Sequence, residues 1–343
     1  MRLEVERHTL ALTSPLTTSY GSLSEREILT VSLTGADGVC GFGEAAPLPG
    51  YDGPDFELVL ETLGAYREVI AASDELDGAQ LLEACRQARD VPQALAAIDL
   101  ALWDRAGRRV EKPVAELLVN DPVASVPVNA TLAALDRAGA AEQAAAAVAA
   151  GFTCLKVKVG TGDDAGRIAA VRAAAGPHVD LRLDANGAWS VDEAVRAIET
   201  LSSAGLELVE EPTHGLDGIR EVRERVAVRV AIDETAGESG ALGSGIADAV
   251  CLKISRCGGI AGLLAAATLV RASGAEVYLA STLDGPLGVA AALHAAAALA
   301  ARGPMPPCGL ATLALFTDVG DVLRARDGAI AVPMGPGLGV SLP

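Results

Sequence analysis

Lysine is scarce in this 343-residue sequence: of 27 Lys and Arg residues, only Lys112, Lys156, Lys158 and Lys253 are lysines. Basic runs are missing too, and the formal net charge is −18. That balance opposes an extended phosphate-binding surface, and with no RNA-binding aromatic motif it excludes nucleic acid as a partner. The six cysteines form no C-x-x-C pair, so neither a zinc site nor a disulfide framework is expected, and their expected role is as small buried hydrophobes. The N-terminus alternates polar and apolar residues and lacks the unbroken apolar stretch of a secretory signal. Alanine-rich stretches such as 288–301 are too short to span a bilayer. A cytoplasmic protein with no membrane partner is expected.

What is present is enough apolar residue for a large core: half the chain is hydrophobic. Residues 1–123 read as an α+β domain, with a strand-like run at 28–33, a Gly/Pro-rich loop at 41–54 and amphipathic helices at 58–70 and 92–106. From about residue 125, short apolar strands alternate with Ala-rich helices, as in a parallel α/β barrel. The strands expected are 126–130, 154–159, 181–184, 208–210, 230–233, 249–254 and 276–279, each followed by a helix, with one further element borrowed. The barrel is assigned to 124–303. The Gly/Pro-rich segment 304–343 is expected to pack back onto the first domain.

Three of the four lysines fall inside expected strands, where an unpaired charge is expensive. Arginine supplies positive charge elsewhere in the chain, but it effectively never loses its proton, whereas lysine can serve as a base. In Leu155-Lys156-Val157-Lys158-Val159 the two lysines are two residues apart and share one strand face, the interior of a barrel. Asp184, Glu210 and Asp233 then end successive strands, so their carboxylates should converge at the C-terminal rim where barrel active sites lie. Hard oxygen ligands of this kind suit Mg²⁺, with Mn²⁺ as an alternative. One strand later Lys253 faces the Lys156/Lys158 strand. Lysines on opposite sides of a dication should repel one another and have depressed pKa values.

The ordered set Lys-x-Lys, Asp-x-Asn, Glu-Glu-Pro, Asp-Glu and Lys, preceded by Gly41-Phe42-Gly43-Glu44-Ala45-Ala46-Pro47, resembles the muconate-lactonizing-enzyme (muconate cycloisomerase) subgroup of the enolase superfamily. The resemblance implies an α/β fold, a modified TIM barrel (β/α)7β with an N-terminal α+β capping domain, and a homo-oligomer. It implies Asp184, Glu210 and Asp233 as metal ligands, Lys158 and Lys253 flanking a small-molecule carboxylate, and Lys156 supporting Lys158. The shared step removes a proton α to that carboxylate to give an enediolate.

The C-terminal stretch Cys308-Gly309-Leu310-Ala311-Thr312, with Asp318 and the glycines after 334, looks like the end of o-succinylbenzoate synthases. That resemblance implies a lyase-type dehydration in menaquinone biosynthesis. Muconate or chloromuconate cycloisomerase, dipeptide epimerase and N-acylamino acid racemase remain as alternatives. Dipeptide epimerases carry an Asp-x-Asp pair late in the barrel, and Ser281-Thr282-Leu283-Asp284 contains one Asp. Rivals of other kinds are a non-catalytic metabolite-binding barrel and a Schiff-base aldolase. Candidate substrate contacts are Tyr20, Tyr51, Asn186, Ser281 and Asp284. Asp284 reads equally as a turn former before Gly-Pro, Tyr20 as a domain-interface residue, and His294 as buried rather than catalytic.

Overall fold

The computed structural model describes every residue except 19–20, 52, 73–75, 161, 318 and 341–343. Its N-terminal part is an antiparallel sheet of β1 (Arg2–Thr18), β2 (Gly21–Thr34) and β3 (Cys40–Ala45). Along β2, Ile28 and Thr30 are buried on one face of the strand, and Leu29, Val31 and Leu33 on the other. Three helices cover that face: α1 (Phe56–Ala71), α2 (Gly78–Ala88) and α3 (Pro92–Arg109). Their Val59, Leu63, Tyr66, Ile70, Leu95 and Ile98 join the strand residues in one core. Each such side chain contributes about 1.5–3 kcal/mol on burial.

The glycines of Gly41-Phe42-Gly43 have a packing reason. A Cβ on Gly43 would stand 1.9 Å from the carbonyl oxygen of Ala97, so α3 lies with its backbone directly against β3. Sequence periodicity anticipates α1 and α3 but not α2. That helix buries only Leu81, Leu82 and Cys85, and what defines its start is the capping box between Asp77 and Gln80.

Beyond the short α4 (Val114–Leu118) and β4 (Ser125–Pro127) the chain enters a parallel sheet in sequential order. Its strands are β5 (Ala130–Leu132), β6 (Cys154–Lys158), β7 (Asp180–Asp184), β8 (Leu206–Glu210), β9 (Arg229–Ile232), β10 (Ala249–Leu252) and β11 (Glu276–Leu279). Helices α5 (Arg137–Ala149), α6 (Asp164–Ala175), α7 (Val191–Leu201), α8 (Leu216–Arg225), α9 (Ile260–Ala272) and α10 (Pro286–Ala300) follow all of these strands but one. The fold is α/β, a modified TIM barrel beneath an N-terminal α+β cap.

Two expectations need correction. The single strand expected at 126–130 is divided, because β4 turns aside to pair antiparallel with β12 (Ala329–Ala331) and only β5 joins the barrel. After β9 no α-helix forms. Two 3-10 turns, Glu234–Gly237 and Ala241–Gly243, make the connection, in a glycine-rich stretch without helical periodicity.

The barrel is sealed by a short late segment. Cys308 donates its N–H to Pro127 O at 2.8 Å and accepts from Asn129 N at 3.0 Å, while Gly309 donates to Leu279 O at 2.7 Å and accepts from Ser281 N at 3.1 Å. Residues 308–309 thus bridge the two open sides of the seven-stranded sheet. Further on, Leu338 N donates to Asp104 Oδ1 at 2.7 Å, tying the tail to α3.

Helix α10 is buried on all sides between cap and barrel. Its one polar interior side chain, His294, accepts from Ala115 N at 3.1 Å through Nδ1 and donates through Nε2 to Leu338 O at 3.2 Å. Burial lowers this imidazole to about 4, so it stays neutral as a latch. Glu44 of β3 accepts from Gly285 N at 2.6 Å, joining the cap to the start of α10. Among the described residues, no helix is long and apolar enough to cross a membrane.

Candidate active site

Strand register builds the rim. Lys158 pairs with Asp184 across β6 and β7, and Asp184 with Glu210 across β7 and β8, so three chemistry-bearing residues stand in one row. Asp233 follows the end of β9, and Lys253 follows the end of β10. Two residues just beyond this row, Asn186 and Glu211, have φ of 45° and 41°. Non-glycine residues in that region cost on the order of 1–3 kcal/mol and persist only where the surroundings fix them.

Lys156 bridges two of the acids, at 2.8 Å from Asp184 Oδ2 and 2.7 Å from Glu210 Oε1. Lys158 reaches the same Asp184 oxygen at 2.6 Å and also donates to Asn186 Oδ1. Tyr278 donates to the other oxygen of Glu210 at 2.8 Å. On the facing wall Lys253 donates to Asp233 Oδ2 and contacts the hydroxyl of Tyr51, which itself donates to Asp233 Oδ2 at 2.7 Å. The barrel strands therefore bring Lys156, Lys158, Lys253, Asp184, Glu210, Asp233 and Asn186 together, and a loop of the cap adds Tyr51.

Exposure separates the three lysines. The Lys158 side chain is 41% exposed, against 13% for Lys156 and 6% for Lys253. The chain's own charges do not produce, at Lys156 or Lys253, the depression expected of lysines flanking a dication. Burial opposes charge on Lys156 and Lys253, but Asp184 and Glu210 around the first and Asp233 beside the second outweigh it, holding both ammonium groups above the ordinary lysine range. Carboxylates, not the opposing lysines, are the nearest charges. The acids divide accordingly. For Asp184 and Asp233 the lysines overcome burial and hold the carboxyl low, whereas burial and the neighbouring acids raise Glu210.

Of the expected substrate contacts in the segment after β11, one is buried and one partly exposed. Asp284 is 1% exposed, and its oxygens accept from Thr282 N at 3.2 Å and Thr282 Oγ1 at 2.9 Å while it faces Glu44. Its carboxylate closes a turn beneath α10, the bland alternative, because the Thr282 amide and hydroxyl are both within reach. Ser281 is partly exposed at the end of β11, and its hydroxyl accepts from Asp284 N at 2.8 Å. Tyr20 lies outside the described residues.

Several participants escaped the sequence reading. Glu211 accepts from Asp233 N at 2.8 Å and Thr235 N at 3.0 Å, which fixes the turn carrying Asp233. Glu234 accepts from Asn186 Nδ2 at 2.9 Å. Arg256 donates to the carbonyls of Asp233 and Glu234 at 3.2 and 3.0 Å. Tyr278 shares the inward face of its strand with Ala280, and that period of two was the signal available for it. A cavity of about 490 Å³ runs from Asp233 and Lys253 past the 3-10 turns to Leu269 on α9.

The donor set suits a hard dication. The three carboxylates are each at most 3% exposed, and Asp233 Oδ1 is buried without a hydrogen-bond partner. The Arg256 guanidinium stands 3.6 Å from it, beyond hydrogen-bond reach, and a bound cation would meet what this buried oxygen still lacks. Donor atoms of Glu210, Asp233 and Cys251 all lie within 4.8 Å of one another, with Asp184 joined to this group through Lys156.

Comparison with known proteins agrees with this geometry. Residues 139–343 match the family profile described as "Enolase C-terminal domain-like", and residues 2–119 match "Mandelate racemase / muconate lactonizing enzyme, N-terminal domain". The chain is 30% identical to the L-Ala-D/L-Glu epimerase of Bacillus subtilis, across 99% of this chain and 96% of that one. It is 40% identical to the o-succinylbenzoate synthase of Thermobifida fusca over 203 residues, 56% of this chain and 61% of that protein. Among solved structures, the dipeptide epimerase of Enterococcus faecalis V583, complexed with Mg and L-Leu-L-Tyr, superposes with a TM-score of 0.91 at 27% identity, covering 99% of both chains.

Proposed function

Because the chain belongs to the muconate-lactonizing-enzyme subgroup of the enolase superfamily, we propose that it removes a proton α to the carboxylate of a small-molecule substrate, with Lys158 and Lys253 on opposite sides of that carbon. The observation that carries this reading is the anchoring of the two lysines to different acids on facing walls, Asp184 for Lys158 and Asp233 for Lys253. Asp184, Glu210 and Asp233 would hold Mg²⁺, or Mn²⁺ in its place. When bound, the dication supplies positive charge against the negative charge that grows on the substrate carboxylate.

The chain's own groups divide the remaining work. Lys158 is the most open of the three lysines and takes the proton, giving an enediolate. Lys156 neutralises Asp184 and Glu210 and holds them in place. Asn186 positions the Lys158 ammonium through its side-chain carbonyl. Lys253, buried between Asp233 and Tyr51, keeps a positive charge on the opposite side. Tyr51 covers that side and excludes water, since burial and the Asp233 charge hold its phenol protonated, well above the usual tyrosine range.

For the net reaction we propose dehydration to o-succinylbenzoate, in which the proton taken by Lys158 is returned to the departing hydroxide and leaves as water. What favours this over dipeptide epimerisation is Asp284: turned inward and bonded to Thr282, it offers no carboxylate to a substrate ammonium. The partial match to the Thermobifida synthase supports the same choice. The test is turnover of the cyclohexadiene precursor of o-succinylbenzoate, followed by ultraviolet absorbance with Mg²⁺ and with EDTA. Rapid, metal-dependent loss of the diene is expected. Epimerisation of dipeptides without loss of the diene would replace the dehydration with the epimerase reading.

A further inference from the structure

We infer that the site proposed for Mg²⁺ is a mixed oxygen and sulfur site in this chain, in which Cys251 adds a soft donor and admits thiophilic dications such as Cd²⁺ or Zn²⁺ in competition with Mg²⁺. The inference rests on the metal reading above and extends it to a residue that reading does not use. On β10, Cys251 lies two residues before Lys253 and shares its inward face. Its Sγ and carboxylate oxygens of Glu210 and Asp233 lie within 4.8 Å of one another, and all three residues are buried. Within this group Asp233 Oδ1 is a buried oxygen with no hydrogen-bond partner, its ion pair with Arg256 being 3.6 Å long.

Among the described residues this is the one group of three or more His, Cys, Asp or Glu side chains placed to share an ion. The remaining cysteines are placed differently. Cys154 lies 3.8 Å from Glu207 Oε2, Cys308 accepts from Leu279 N at 3.5 Å, and Cys85 is packed in the cap core. Donor chemistry then decides selectivity. Mg²⁺ takes hard oxygen ligands and keeps waters, whereas a thiolate favours softer ions. With Zn–S near 2.3 Å and Zn–O near 2.0–2.2 Å, donors this close can be met by one ion. Binding forms the metal–sulfur bond and releases the thiol proton to solvent.

The experiment titrates EDTA-treated full-length protein with Cd²⁺, reading the ultraviolet cadmium–thiolate band and the ¹¹³Cd chemical shift, and then adds Mg²⁺. The expected result is one bound Cd²⁺ with sulfur in its shell, which lowers the apparent affinity for Mg²⁺ by occupying the same site. In Cys251→Ser the band is lost and Cd²⁺ affinity falls about 10- to 100-fold, while Mg²⁺ affinity by calorimetry changes far less. A band that persists in Cys251→Ser, an all-oxygen ¹¹³Cd shift, or Mg²⁺ binding that Cd²⁺ leaves unchanged would overturn the inference. Should Cys251→Ser fail to fold, the wild-type shift and the Mg²⁺ competition decide alone. Mg²⁺-dependent exchange of the substrate α-proton, measured on the same preparation, separates the two readings. Exchange without a sulfur signature defeats the soft-donor inference only, and absence of both defeats the metal reading as well.

Discussion

The hydroxyl of Tyr51, on a loop of the capping domain, donates a hydrogen bond of 2.7 Å to Asp233 Oδ2 at the barrel rim, the oxygen that Lys253 also contacts. One side chain of the cap therefore touches both an expected metal ligand and an expected catalytic lysine. Tyr51→Phe keeps the ring stacked 4.7 Å from the Lys253 ammonium but removes the donor. A hydrogen bond to a charged group contributes about 1.5–3 kcal/mol, so kcat/KM should fall about 10- to 100-fold. Steady-state kinetics with unchanged circular dichroism checks this, and an unaltered kcat/KM would remove Tyr51 from the site.

Lys158→Arg and Lys253→Arg preserve positive charge next to Asp184 and Asp233, so the fold should be kept. Arginine does not give up its proton, so loss of the base in Lys158→Arg costs on the order of 10²–10⁴ in rate, whereas Lys253→Arg keeps the charge that Lys253 supplies and should cost less. Turnover measured beside melting temperature distinguishes chemistry from unfolding. Near-normal turnover in Lys158→Arg would contradict its role as the base.

Glu44 gives a pH-dependent stability. Burial, reinforced by Asp284, raises its carboxyl from 4.5 to about 8. A raised folded-state value means the folded protein holds this proton more tightly than the unfolded chain. The resulting stability is fully present below about pH 4.5 and is lost as pH rises toward about 8. Asp99, raised to about 7 by burial, acts in the same direction. Glu44→Gln should flatten the fall in melting temperature between pH 5 and 8, so the variant gains on the wild type as pH rises. Parallel curves would show that Glu44 is not the group responsible.

His294→Leu tests the latch between α10, α4 and the tail. It leaves Ala115 N and Leu338 O buried without their partner, each costing about 1–3 kcal/mol. Denaturant unfolding should show a loss of that order per group, while activity per folded molecule is kept because the imidazole does not touch the rim.

The rim was largely legible in the sequence because strands have a period of two and end in register. Lys156 and Lys158 share a face for that reason, and Asp184 and Glu210 align as neighbouring strand ends. Contacts that depend on tertiary placement were not legible. Tyr51 meets Lys253 only through the docking of the cap, and Asp284 is taken up by Thr282 once its turn closes. Cys251 carried no motif, since its significance comes from two acids on other strands. Barrel closure by residues 308–309 was hidden for a related cause: two residues are too few to show a period. At Lys156 and Lys253 the acids to which each is bonded, which the weighing of lysine against lysine left out, raise the pKa instead.

The most direct test of the account is exchange of the substrate α-proton in D₂O with Mg²⁺, read by NMR on the cyclohexadiene precursor, dipeptides and N-acylamino acids, for the wild type and for Lys158→Arg. The account predicts Mg²⁺-dependent incorporation or turnover with at least one of these carboxylates, abolished by EDTA and by the Lys158 substitution. Equal exchange in wild type and Lys158→Arg, or exchange indifferent to EDTA, would contradict it.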